Sequence, residues 1–272
     1  MSRAAATAKL NLALVVGPKR DDGNHEVMTV LQRLALTDRV DVESAPALAV
    51  DGFEADTIVR RGLLELARDA GVAPLWRARI EKRIPIAAGL GGGSSDAATA
   101  VRLANATLPQ PLSDERLHEL ATRLGADVPF FLTSGPQLGT GAGSELSALE
   151  LPQDYFVLLV LPVRARKQSS GAVYAEFDRR DGATGFDERR AALVEALEHV
   201  RRPRDLAALP PNDLASSPLA DDLRALGAFR ADVSGAGPVV YGLFHHRAAA
   251  RAARRALGAL GRIWLTAPAW YG

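Results

Sequence analysis

"PIAAGLGGGSSDAATAVRLAN", residues 85–105, decides the reading of the chain. Four of the five residues at 89–93 are glycine, two serines follow, and an alanine-rich stretch closes the segment. Glycine loses more conformational freedom on ordering than any other residue, so this density marks a place where bare backbone is needed. The alternating stretch 75–84 ahead of it reads as a strand, and a helix is expected from about 94 to 106. Strand, glycine loop and helix together offer backbone N–H groups and a positive helix end to an anion. A P-loop needs Lys-Ser/Thr after its last glycine, and this segment has no lysine. A dinucleotide fingerprint needs Gly or Ala where Ser94 stands, and a protein-kinase loop lies between two strands. A phosphate cradle served by the helix dipole, amides and serine hydroxyls is preferred to a flexible helix start capped by Ser94 or Ser95. Asp96, in the first turn, is expected to cap the helix or to face a metal ion.

Working outward, residues 7–16 and 33–44 read as strands and 56–71 as a helix. A second helix is expected over 113–125, with Ser113 as N-cap and Gly125 as its stop. The turn-rich stretch 134–146 precedes a continuous apolar strand at 155–165. Beyond it come helices near 187–200 and 218–227, a strand-loop-strand unit at 229–244, a helix from 247 and a strand at 262–267. Strand pairs mixed with helices, without regular alternation, predict an α+β fold. A first domain is expected over 1–152 and a second over 153–272.

The 272 residues carry 33 Lys+Arg against 32 Asp+Glu, a formal charge of +1. That balance points to neither nucleic acid nor an anionic membrane as partner. The arginine-rich stretch 245–262 reads as a solvated face over an alanine-rich buried one, with His245 and His246 exposed at a strand end. The absence of cysteine excludes disulfides, thiol nucleophiles and thiolate zinc sites. The apolar stretch 4–16 is interrupted by Lys9 and Asn11, and the longest apolar run, 155–163, is too short to cross a bilayer. These features predict a cytoplasmic protein.

Two positions are chemically odd. Lys9 and Asn11 fall on one face of the first strand, Leu10 and Leu12 on the other. Taken alone, the polar pair reads as a solvated sheet face. Asp127, in GADVPFF at 125–131, is either tied by local backbone hydrogen bonds or kept for chemistry.

Together, KLN at 9–11, DGNH at 22–25, the loop at 85–98, GADVPFF, NDL at 212–214 and SGAGP at 234–238 occur in the order found in GHMP-type small-molecule kinases. The chain resembles that family from Lys9 to Pro238. Its loop, KLN and GADVPFF are most similar to the members that phosphorylate a cytidine diphosphate substrate in isoprenoid-precursor synthesis; homoserine- and mevalonate-type kinases are the alternative. The resemblance implies an ATP- and Mg2+-dependent enzyme with a ribosomal-protein-like N-terminal domain, a ferredoxin-like C-terminal domain and the active site between them. It implies that Pro85, Ile86, Ala87, Ala88, Gly89, Leu90, Gly91, Gly92, Gly93, Ser94 and Ser95 wrap the ATP phosphates. Asp127 would take the proton of the acceptor hydroxyl, and Lys9 would pair with Asp127 and the transferring phosphoryl group. Asn11, Asn24, His25 and Tyr174 would hold the cytidine substrate, and SGAGP would close the site. The resemblance identifies no Mg2+ ligands in the chain. The family usually carries Tyr or Phe at 24 and often Asn at 56; here Asn24 and Asp56 stand there, and Asp56 is also a natural helix N-cap.

Overall fold

The computed structural model describes residues 2–54, 56, 58–163, 165 and 169–269. Its first half is a six-stranded sheet covered by helices. Strands β1 (Ser2–Lys19) and β2 (His25–Ser44) form a long antiparallel ribbon. On the far side of β2 lie β4 (Trp76–Glu81), which pairs in parallel with β3 (Ala49–Asp51), and the hairpin β5 (Gln137–Thr140) with β6 (Glu145–Ala148). Helices α1 (Ile58–Ala70), α2 (Gly92–Asn105) and α3 (Asp114–Leu124) bury their apolar stripes with Leu31, Val40, Val42, Ala78 and Ile80 of this sheet. Residues at helical spacing, Val59, Leu63 and Leu66 among them, supply that stripe.

The second half builds a four-stranded antiparallel sheet in the order β10, β7, β9, β8. Its elements are β7 (Phe156–Pro162), α4 (Ser170–Arg179), α5 (Phe186–Glu198), α6 (Leu219–Ala225), β8 (Arg230–Val233), β9 (Val240–Phe244), α7 (Arg247–Ala256) and β10 (Gly261–Thr266). The α+β expectation therefore holds, with two sheets and flanking helices. Strand β2 begins eight residues earlier than the expected 33. The hairpin β5–β6 occupies the stretch read as turns, and α4 was not foreseen at all. Helix α7 does bury Ala250 and Ala253 beneath exposed arginines, and His245 and His246 are exposed.

The two halves share one core. Leu10, Leu12 and Val15 of β1 meet Val157, Leu159, Tyr241 and Leu243 of the second sheet. Arg230 reinforces the junction by donating to the carbonyl oxygens of Leu12, Leu209 and Pro210. With that face of β1 covered by the second sheet and the other by the first half's helices and loops, Lys9 and Asn11 are both buried. The solvated-face reading of this pair is corrected accordingly.

Candidate active site

Glycine at 89 and 91 has a steric cause. Gly89 has φ +80°, and a Cβ there would lie 2.1 Å from the Ser234 carbonyl oxygen. Gly91 has φ +67°, and its Cβ would lie 2.9 Å from Lys9 Cγ and Phe131 Cζ. Both conformations are closed to most L-residues, and both approaches are closed to any side chain. Gly91 is the N-cap of α2, and no serine side chain caps the helix. The helix thus begins two residues ahead of the expected Ser94, and the serine-capped alternative falls. Ser95 N donates to Gly91 O at 2.9 Å, so the amides of residues 92–94 have no intrahelical acceptor. Strand β1 and the connection between β8 and β9 fix the loop: Lys9 N donates to Leu90 O, Val239 N to Ala88 O and Ser234 Oγ to Gly89 O.

This loop walls a cavity of about 410 Å3, together with Lys9, Phe53, Ile58, Lys82, Asp127 and residues 235–237. Ala88 and Leu90 turn their side chains into the shared core, and of the expected loop residues Leu90 and the buried Ser95 do not line the cavity. Ile86 stands 56% exposed. A second cavity, about 290 Å3, contains Asn11, Thr29, Ala142 and Tyr174 and shares Lys9, Ser94, Asp127 and Ser170 with the first. A third, about 410 Å3, is lined by Lys19, Asn24, His25, Tyr174 and Asp178 and shares Ala126, Ala142, Ser170 and Tyr174 with the second. The three form a continuous trough. A larger cavity, about 850 Å3, lies over β1–β4 and, among the described residues, shares only Lys82 with this site. Its charges pair with one another, as Arg39 does with Glu81 and Arg77 with Asp51, so the trough is the better candidate.

Lys9 and Asp127 sit where the first two cavities join. Lys9 Nζ lies 3.4 Å from Asp127 Oδ2 and donates to Asn11 Oδ1 at 2.6 Å. Asn11 Nδ2 donates in turn to Thr29 Oγ1 at 2.8 Å. The Lys9 side chain is 5% exposed and that of Asp127 43%, so a buried ammonium faces a carboxylate open to the trough. Of the two readings of Asp127, the local tether finds no support among the described residues: its carboxylate meets Lys9. The NDL segment proves to be scaffold. Asn212 Nδ2 donates to the carbonyls of Val233 and Gly235, and Asp213 Oδ2 accepts from Val16 N and Arg189 Nε.

Asp96 neither caps α2 nor opens to the cavity. It is 2% exposed and accepts from Lys82 Nζ at 2.6 Å, while Lys82 also pairs with the fully buried Asp38. Asp38 further accepts from the amides of Arg83 and Ile84 at the head of the loop. Burial, and then the Asp38 charge, push the Asp96 pKa up to about 7 against the opposing pull of Lys82. Burial would lower the Lys82 pKa, but Asp96 and Asp38 together raise it.

At the outer end, His25 Nε2 lies 2.7 Å from Asp178 Oδ1, and its ring stacks on Tyr174 with centroids 4.8 Å apart. Burial, then the Asp127 charge, push the Tyr174 phenol up to about 12. Asn24 is exposed in the turn between β1 and β2, on the wall of the same cavity. Asp56 caps α1, accepting from Val59 N and Arg60 N at 3.1 Å. Sequence reasoning missed Lys82, Ser170 and Asp178. Lys82 carried a faint signal as one of only four lysines. Among the described residues no cluster of three or more His, Cys, Asp or Glu could hold a metal ion, and no helix is long and apolar enough to cross a membrane.

Residues 57–135 match the family described as GHMP kinases N terminal domain, and residues 206–263 match GHMP kinases C terminal. The chain is 38% identical over 273 residues to 4-diphosphocytidyl-2-C-methyl-D-erythritol kinase of Anaeromyxobacter dehalogenans (strain 2CP-1 / ATCC BAA-258), a match covering 93% of this chain and 83% of that protein. It is 35% identical to the protein of the same name from Citrifermentans bemidjiense, over 96% of both chains. A crystal structure of 4-(cytidine 5'-diphospho)-2C-methyl-D-erythritol kinase superposes with a TM-score of 0.79 at 32% identity, covering 98% of this chain and 99% of that one. Methanococcus jannaschii mevalonate kinase shares the fold, with a TM-score of 0.73 at 13% identity over 98% of each chain. The chain belongs to the 4-diphosphocytidyl-2-C-methyl-D-erythritol kinase family of ATP-dependent GHMP kinases.

Proposed function

We propose that this chain transfers the γ-phosphoryl group of ATP to the 2-hydroxyl of 4-diphosphocytidyl-2-C-methyl-D-erythritol, with ATP in the glycine-loop cavity, the cytidine end in the His25–Tyr174 cavity and transfer at Lys9 and Asp127. The observation that carries this reading is the trough, in which Lys9 and Asp127 stand at the joint between the loop cavity and the next. Phosphoryl transfer depends on in-line positioning and charge stabilisation, which such a junction supplies. The amides of residues 92–94 and the Ser94 hydroxyl face the phosphates. The Asp127 carboxylate accepts the 2-hydroxyl proton as that oxygen bonds to the γ-phosphorus and the bond to ADP breaks. The Lys9 ammonium, held by Asn11, offsets negative charge on the moving phosphoryl group.

Mg2+, when bound, supplies neutralisation of the nucleotide phosphates. Ser94 gives the phosphate cavity a hydroxyl oxygen suited to a hard cation whose other ligands are water and phosphate oxygens, and it would hold the ion. Asp96 is committed to Lys82. We also place a nucleotide-binding domain over 1–152 and a second domain over 153–272, a division supported by each sheet being built within one of these halves.

A coupled ADP-release assay with the cytidine substrate, mevalonate and homoserine tests the assignment. ADP release dependent on the cytidine substrate supports it; turnover of mevalonate or homoserine in its place overturns it.

A further inference from the structure

Strands β1 and β2 present two cations side by side. Lys9 and Arg33 are register partners, so their side chains leave the same face of the sheet. Lys9 reaches the Asp127 carboxylate, whereas Arg33 reaches the backbone of the same segment. Its Nη2 donates to the carbonyl oxygens of Phe130 and Thr133. Its guanidinium lies 4.6 Å from the Phe130 ring centroid and 5.7 Å from that of Phe131. Arg33 is 2% exposed and has no carboxylate partner among the described residues. Burial, then the Arg102 charge, pull its pKa down to about 10, which leaves it charged at neutral pH.

A buried cation without a counter-charge is costly, and an apolar side chain would fill this space more cheaply. What the guanidinium provides is a rigid planar donor group that can hold two carbonyls at once. Those carbonyls belong to the tight turn that carries Asp127. Val128 N bonds to Gly125 O at 3.0 Å, Phe131 N to Val128 O at 3.1 Å and Thr133 N to Phe130 O at 3.3 Å. Phe131 also touches the glycine loop, at the point where a Cβ on Gly91 would meet it at 2.9 Å.

We propose that Arg33 is a positioning residue for phosphoryl transfer: it locks the 125–133 turn to β2 so that the Asp127 carboxylate is held against Lys9 and the acceptor hydroxyl. The inference rests on Asp127 being the base, as proposed above. The test uses Arg33→Met and Arg33→Lys, each alone and combined with Asp127→Asn. Kinetics are read alongside ATP affinity and amide hydrogen exchange. Arg33→Met should lower kcat about 10²-fold, the scale of a misplaced reacting group, with ATP Kd unchanged. Arg33→Lys should recover part of that loss, since an ammonium still donates to these carbonyls. In the Asp127→Asn background Arg33→Met should cost little more, because the two residues act as one unit. Amides 127–133 should exchange faster in Arg33→Met while those of β1 and β2 stay protected. Unchanged exchange at 127–133, or a kcat loss that multiplies undiminished with Asp127→Asn, overturns the proposal. Should Asp127→Asn keep full turnover, the base assignment falls by itself, and exchange still decides whether Arg33 holds the turn. If Arg33→Met does not fold, the same two readouts on Arg33→Lys decide.

Discussion

Gly89 and Ser234 meet backbone to backbone: a Cβ on the glycine would lie 2.1 Å from the Ser234 carbonyl oxygen. The phosphate loop and the 234–238 turn therefore close on each other through a contact that admits no side chain. Gly89→Ala should destabilise the fold by about 2 kcal/mol or more, combining left-handed strain with displacement of the turn. It should also raise the KM for ATP. Gly93→Ala is the control, because among the described residues its Cβ would meet only Ile58 Cγ2, at 3.6 Å. Urea unfolding of both variants separates the cases, and equal losses would contradict the steric account.

Tyr174 stacks on His25 at the outer cavity, and Asp178 holds the imidazole. Base–aromatic stacking is worth about 1–3 kcal/mol per base, so Tyr174→Ala should raise the KM for the cytidine substrate about tenfold or more. Tyr174→Phe should keep most of the affinity, and ATP binding should not change in either variant. An unaltered KM in Tyr174→Ala would place the cytosine elsewhere.

Asp96 makes stability depend on pH in an unusual direction. Its carboxyl rises from 3.8 to about 7 on folding, so the folded chain holds this proton more tightly than the unfolded one. The contribution favours folding in acid, fades as pH rises through roughly 4 to 7, and leaves an ionised, poorly solvated carboxylate above that range. Asp96→Asn should therefore compare better with the wild type at pH 8 than at pH 5. Denaturant unfolding at the two pH values checks this, and a wild-type advantage that grows with pH would contradict it.

The loop is legible because its glycine density marks it within a few neighbouring residues, whereas Lys9 and Asp127 stand out locally only as odd and take their roles from the family resemblance. Burial of Lys9 and Asn11 is not legible, since the elements covering β1 come from far along the chain, β7 and β9 among them. Helix α4 hid because only Val173 and Phe177 of its ten residues are buried, too sparse a stripe to show periodicity. With it went Ser170 and Asp178. Asp96 was misplaced because its partners, Lys82 and Asp38, are brought to it by β4, β2 and the loop. The start of α2 was set late because glycine is a poor helix former, yet Gly92 and Gly93 are helical behind the left-handed Gly91.

The central claim is that phosphoryl transfer takes place between Lys9 and Asp127, and the most direct measurement is kcat for the cytidine substrate in Lys9→Ala, Asp127→Asn and the double variant, with ATP affinity read separately. Each single change should lower kcat by about 10²–10⁴-fold, the usual share of a positioned base and its partner. The double variant should be little worse than the poorer single, as expected of groups that act together. Asp127→Asn should still bind ATP. Wild-type kcat in either single variant, or losses that multiply in full in the double variant, would contradict the assignment of this pair as the transfer point.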